Sequence, residues 1–118
     1  MIKATIGMKL PSLNDYIDVC RSNRFQAAKF KRETEAGIAF FLRKLPVFEK
    51  PVVVHFRWIE SDFRRDADNI AFAKKFILDT LVKLGKLKDD SRKYVNGFTD
   101  EFETGERTKV IIYIEEVA

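Results

Sequence analysis

The sequence predicts a single α/β (α+β) domain: a mixed four-stranded sheet with two main helices, in the order strand, helix, strand, helix, strand, strand. Three observations predict it. VVVHFRWIE, residues 52–60, alternates Val52, Val54, Phe56 and Trp58 on one face, as a strand does. Residues 69–84 carry apolar side chains at helical spacing and stop at Gly85. Two further strand-like runs follow late in the chain, separated by Thr104-Gly105.

With 118 residues, 46% of them hydrophobic and 34% charged, the chain has material for one core, so residues 1–118 read as one domain. No apolar run approaches the ~20 residues of a membrane-crossing helix, which predicts no membrane partner. The opening MIKATIGMKLP is too short and mixed for a signal peptide. Cys20 is the only cysteine, so no disulfide framework exists, and the expected location is the reducing cytoplasm.

Element by element, Ile2, Ala4, Ile6 and Met8 alternate and predict a first strand over residues 2–9. Pro11 ends it, and Ser12 or Asn14 supplies a helix cap. Residues 13–44 read as mostly helical, with an interruption near Arg21-Ser22-Asn23. In that stretch Ala28, Lys31 and Glu35 lie apart from the apolar Ala27, Phe30, Ile38, Phe41 and Leu42. Pro46 and Pro51 bracket a loop before the second strand, in which His55 is a strand residue. The loop SDFRR leads into the second helix, Asn69 to Leu84, whose core stripe is Ile70, Ala73, Ile77, Leu81 and Leu84. Phe72 and Val82 make that helix apolar beyond one stripe, which implies a second packing surface such as a subunit interface. Residues 94–102 and 108–116 are the last two strands.

Charge is distributed unevenly within a net of +4. Arg21, Arg24, Lys29, Lys31, Arg32, Arg43, Lys44 and Lys50 face only Glu33, Glu35 and Glu49 across residues 21–50. From Asp100 onward six acids outnumber two bases. A basic block suits a polyanionic partner as well as it suits a solvated helix face.

The chemistry-bearing stretch is RRDADNIAFAKK, residues 64–75, where Asp66 and Asp68 are fenced by Arg64, Arg65, Lys74 and Lys75. Asp68 stands where the helix begins and reads as its N-cap. Asp66 is left unexplained by a cap. In extended geometry residues two apart point the same way, so both carboxylates can converge on one cation. Mg²⁺ takes one or two protein carboxylates and fills its octahedron with water and substrate oxygens. An EF-hand is excluded, because Ile70 and Ala71 occupy its fifth and sixth loop positions.

Asp89-Asp90 precedes the third strand, where a mixed sheet could bring a third carboxylate beside the end of the second, although such a pair is also an ordinary solvated turn. Along the helix Asp68, Lys75 and Asp79 share one side, so Lys75 either points back to the carboxylates or pairs with Asp79. One His and one Cys exclude an intrachain Cys/His zinc site. No Walker A, G-x-S-x-G or G-x-G-x-x-G motif occurs. Carboxylates beside bases suit metal-assisted phosphodiester hydrolysis.

RRDADNI, a helix with lysine and Asp79-Thr80-Leu81, then Gly85 and LKDD, resembles the RusA-like family of Holliday junction resolvases. The N-terminal PSLNDYI resembles its phage-type members. The resemblance implies a RusA-like fold and a homodimeric, Mg²⁺-dependent endonuclease, with Mn²⁺ as a substitute, that cuts four-way DNA junctions by paired nicks. It implies Asp66, Asp68 and Asp90 as catalytic metal ligands and a functional lysine, Lys75 or its neighbour Lys74. Arg64, Arg65, Lys74, Arg21, Arg24, Lys29, Lys31 and Arg32 are then the expected DNA-binding residues, and Phe63 is either a core residue or a wedge at an opened junction. The alternatives are a non-catalytic DNA-binding dimer and a nuclease preferring flaps or forks.

Overall fold

The computed structural model of the chain describes residues 1–117. In chain order they form β1 (Ile2–Ile6), α1 (Leu13–Ser22), α2 (Arg24–Leu42), β2 (Val52–Glu60), α3 (Ala67–Ala71), α4 (Lys74–Lys83), β3 (Val95–Thr104) and β4 (Lys109–Glu116). The predicted mixed four-stranded sheet is present, in the order β1-β4-β2-β3. β4 runs antiparallel to both β1 and β2, while β3 lies parallel to β2.

Each strand alternates sides, and the register aligns the apolar rows. Phe56 lies opposite Ile112, which lies opposite Ala4, while Val54 and Ile2 flank Ile114. This face carries the helices, and between the layers Phe56, Trp58, Ile112, Ile38, Leu42, Phe76, Ile77 and Leu81 are buried. The other face carries His55 and Arg57. The His55 ring bonds Thr99 Oγ1 at 2.7 Å and Glu115 at 3.3 Å, so it is a strand residue as predicted.

Helix ends follow local chemistry. Ser12 caps α1 by a reciprocal box with Asp15: its hydroxyl accepts from Asp15 N at 3.1 Å, and its own N–H donates to the Asp15 carboxylate at 2.9 Å. The interruption falls at Asn23, whose side chain accepts from Gln26 N at 2.8 Å and starts α2. Gly85, at φ 72°, ends α4. Its N–H donates to Val82 and the following Lys86 N–H to Leu81, both at 2.9 Å, the two bonds of a Schellman ending.

Three readings of the helices need correction. The helix expected over 69–84 is two helices, α3 and α4, joined by a tighter turn in which Ala73 N donates to Ile70 O and Phe76 N to Ala73 O. Its second apolar face meets the chain's own helix: Phe72 packs against Tyr16 of α1 at 5.6 Å between ring centroids. Glu35, expected apart from the apolar face, is buried, because α4 crosses α2 there and brings Lys83 to it.

Candidate functional site

Because β1 and β2 both oppose β4 and β3 parallels β2, the carboxyl ends of β1, β2 and β3 share one edge of the sheet. The Asp66–Asp68 motif leaves β2 at that edge. α3 starts at Ala67, with Ile70 N donating to Asp66 O at 3.1 Å. Asp66 therefore holds the cap position expected for Asp68, yet its side chain makes no capping bond. Asp68 lies in the first turn, and its Oδ1 accepts from Asn69 N at 3.0 Å. Both residues are exposed. The Asn69 side-chain oxygen accepts from Asn14 N at 3.2 Å, tying the motif to the first turn of α1.

The flanking arginines answer to other carboxylates. Arg64 is exposed and its Nε lies 3.4 Å from Asp62. Arg65 makes a two-pronged pair with Glu60, Nε and Nη2 each 2.9 Å from a carboxylate oxygen, and its Nη1 donates to Leu10 O at 2.8 Å. The side chains of Glu60 and Arg65 are 12% and 16% exposed, so Arg65 is committed to closing the end of β2 rather than presented to DNA. Phe63, between these pairs, is 89% exposed and is not a core residue.

The third carboxylate is elsewhere. Parallel pairing begins with Val52 opposite Val95, so Asp90 precedes β3 at the end of the sheet where β2 starts. Asp66 and Asp68 follow the end where β2 finishes, whereas the Asp90 carboxylate is met by Lys75, in the first turn of α4. Asp90 is engaged by Lys75 rather than gathered with Asp66 and Asp68 into one cluster. Among the described residues no group of three or more His, Cys, Asp or Glu side chains is arranged to hold a metal ion. The extended geometry expected to aim Asp66 and Asp68 the same way is not kept, because α3 begins between them at Ala67; Asp66 makes no capping bond and Asp68 has a second carboxylate oxygen beyond the one that accepts from Asn69 N.

Lys75 and Asp90 meet on the flank of α4 instead. The Lys75 ammonium lies 3.1 Å from Asp79 and 3.5 Å from Asp90. Its pKa is raised, first by the hydrogen bond to Asp79; partial burial, next in size, opposes this, and the charges of Asp79 and Asp90 add to the rise. Asp79 also takes Lys31 at 3.2 Å, and Lys31 lies 4.0 Å from Glu35, which Lys83 bonds from the other side. The alternating chain Lys83–Glu35–Lys31–Asp79–Lys75–Asp90 stitches α2 to α4 and to the segment before β3. Lys31, expected on DNA, is therefore a link between helices.

Lys74 turns to a different acid, Asp100, at 2.5 Å. The Trp58 indole N–H donates to the other Asp100 oxygen at 2.8 Å, and the ammonium stands 4.6 Å from the Phe98 ring centre. Sequence reasoning missed Asp100. Its signal was strand parity: Asp100 lies opposite Phe56 in β3 and so shares the helix-facing side of the sheet. Of the remaining expected DNA contacts, Arg21, Arg24, Lys29 and Arg32 are exposed, with Lys29 3.9 Å from Glu33. Among the described residues, no helix is long and apolar enough to cross a membrane.

No family model matches the chain, and no curated protein matches it.

Proposed function

We propose that the chain is a Mg²⁺-dependent endonuclease of branched DNA, of the type the RusA-like resemblance implies: a cytoplasmic homodimer that resolves four-way junctions by paired nicks. One observation carries the reading. Two exposed carboxylates two residues apart stand at the carboxyl edge of the sheet, Asp66 makes no capping bond, and the neighbouring arginines pair with Asp62 and Glu60 instead.

Asp66 and Asp68 would hold the ion, which when bound supplies an activated water and a counter-charge for the leaving oxygen. Arg64 lies beside them and attracts the phosphate to be cut. Lys75 and Asp90 act as a charged pair that braces α4 against the chain preceding β3, and any role they have at the phosphate requires that pair to open. A two-fold dimer places equivalent sites on the two matching strands of a junction.

A second reading, a non-catalytic DNA-binding dimer, is favoured by the pairing of Asp90 with Lys75 instead of with a carboxylate cluster at Asp66 and Asp68. End-labelled immobile junctions of several sequences, incubated with Mg²⁺ beside flap, fork and linear duplexes, decide between them. Paired nicks by the wild type that are abolished in Asp68→Asn, with junction binding retained, are the expected result. Binding without cutting by both proteins refutes catalysis. Faster cutting of flaps or forks than of junctions replaces the resolvase with another branch-specific nuclease.

A further inference from the structure

The α2 helix turns a second chemistry outward. Phe25, Lys29, Arg32, Ala36, Phe40 and Arg43 are all exposed, and their spacings of four, three, four, four and three residues bring them into one stripe. At 3.6 residues per turn the six fall within an arc of about 80°, and the stripe runs about 27 Å along the helix. Phe25 is 84% and Phe40 58% exposed, so neither ring is held by the core. The Arg43 guanidinium lies 4.0 Å from the Phe40 ring centre, which sets a cation against an aromatic ring. Between the aromatics stand Lys29 and Arg32, and Arg24 and Lys44 extend the basic surface at either end. Arg32, Ala36 and Lys83 border a hollow of about 300 Å³ between α2 and α4.

We infer that this stripe is a binding site for a single strand of nucleic acid, with bases stacking on Phe25 and on the Phe40–Arg43 pair while Lys29 and Arg32 take the intervening phosphates. Exposed aromatic rings in a basic track are what unpaired strands require, since every base has a stacking face and every linkage a charge. Duplex phosphates would need the cations alone and would leave the two rings in water. A lipid surface would need a continuous apolar face, whereas here cations separate the two rings on the same stripe. The inference shares with the nuclease reading only that the partner is nucleic acid; it places the contact on α2 and not at Asp66 and Asp68.

The test is fluorescence anisotropy with a labelled oligothymidylate of about 15 nucleotides, a duplex of equal length and anionic phospholipid vesicles, since site sizes run to about 16 nucleotides. The wild type is compared with Phe25→Ala, Phe40→Ala and Arg32→Ala, each checked for an unchanged melting temperature. Tighter binding of the single strand than of the duplex is expected, weakened about tenfold by either Phe change. Arg32→Ala should flatten the salt dependence by about 0.7 of a logarithmic unit per decade. Equal binding of duplex and single strand that ignores both Phe changes overturns the stripe and leaves the nuclease reading standing. Strand binding that depends on the two rings, with junctions left uncut, supports the stripe and removes the nuclease. Vesicle binding in place of oligonucleotide binding, a dimer lost in Phe25→Ala that binds no strand, or no nucleic-acid binding at all overturns the inference.

Discussion

Arg65→Ala tests whether this cation belongs to the fold or to a ligand. Its guanidinium contacts both oxygens of Glu60 at 2.9 Å and the Leu10 carbonyl at 2.8 Å. Deleting it strands a carboxylate that is 12% exposed at the end of a buried strand. Breaking a fully buried pair by removing one partner costs about 3–5 kcal/mol. The residual exposure of this pair places Arg65→Ala near the lower end, about 3 kcal/mol, or roughly a 10–15 °C fall in melting temperature for a domain of this size.

The assay is urea denaturation followed by the Trp58 fluorescence, with Glu60→Ala and the double variant completing a cycle. The double variant should be less destabilised than the sum of the singles by about 1–3 kcal/mol, because its second change removes the stranded partner. Arg65→Ala costing under about 0.5 kcal/mol, the range of an ordinary surface change, would refute the reasoning. Weakened DNA binding at unchanged stability would return Arg65 to the phosphate-binding role that its place in the sequence suggests.

Two further outcomes follow from the same geometry. A Cβ added at Gly105 would stand 2.8 Å from Ile59 Cγ2, so Gly105→Ala should destabilise the fold by about 1–3 kcal/mol in urea denaturation; a neutral result would mean that the turn after β3 shifts without cost. Burial raises the Asp79 pKa, but hydrogen bonds from Lys75 and Lys31 outweigh it and hold the group below its ordinary 3.8. A depressed folded-state pKa gives stability that is present above the unfolded value and lost as pH falls through the folded one. The wild type should therefore lose stability below about pH 4 more steeply than Asp79→Asn, and parallel pH profiles would show that the lysines do not act on this group.

Much of the fold was legible because its signals are local. The alternation of VVVHFRWIE needs only the two-residue period of a strand, and it marks β2 from Val52 to Glu60. Gly85 marks the end of α4 because that ending needs a left-handed residue, and Ser12 with Asp15 and Asn23 with Gln26 carry their capping partners three positions away. The Asp66–Asp68 pair was equally visible, being adjacent in the chain. What escaped were quantities fixed by elements distant in sequence.

The strand-like run before β4 does not reveal which neighbour it joins. Only its parallel pairing with β2 lays Asp100 opposite Phe56, within reach of Lys74, and only the path of the chain before β3 brings Asp90 to Lys75. Helical spacing offered Lys75 both Asp68 and Asp79, and the break at Phe72–Ala73 together with the arrival of Asp90 settled its partners. Arg65 reads as a DNA contact among its neighbours in sequence and becomes a structural cation once Glu60 and Leu10 close around it. By itself the sequence determined the strands, the cap at Ser12, the break near Asn23, the stop at Gly85 and the types of charge the elements carry, because these depend on backbone geometry over a few residues. Only the tertiary structure decided which opposite charges meet, because a Coulombic pairing depends on distance in space and long side chains accept whichever partner the packing brings near.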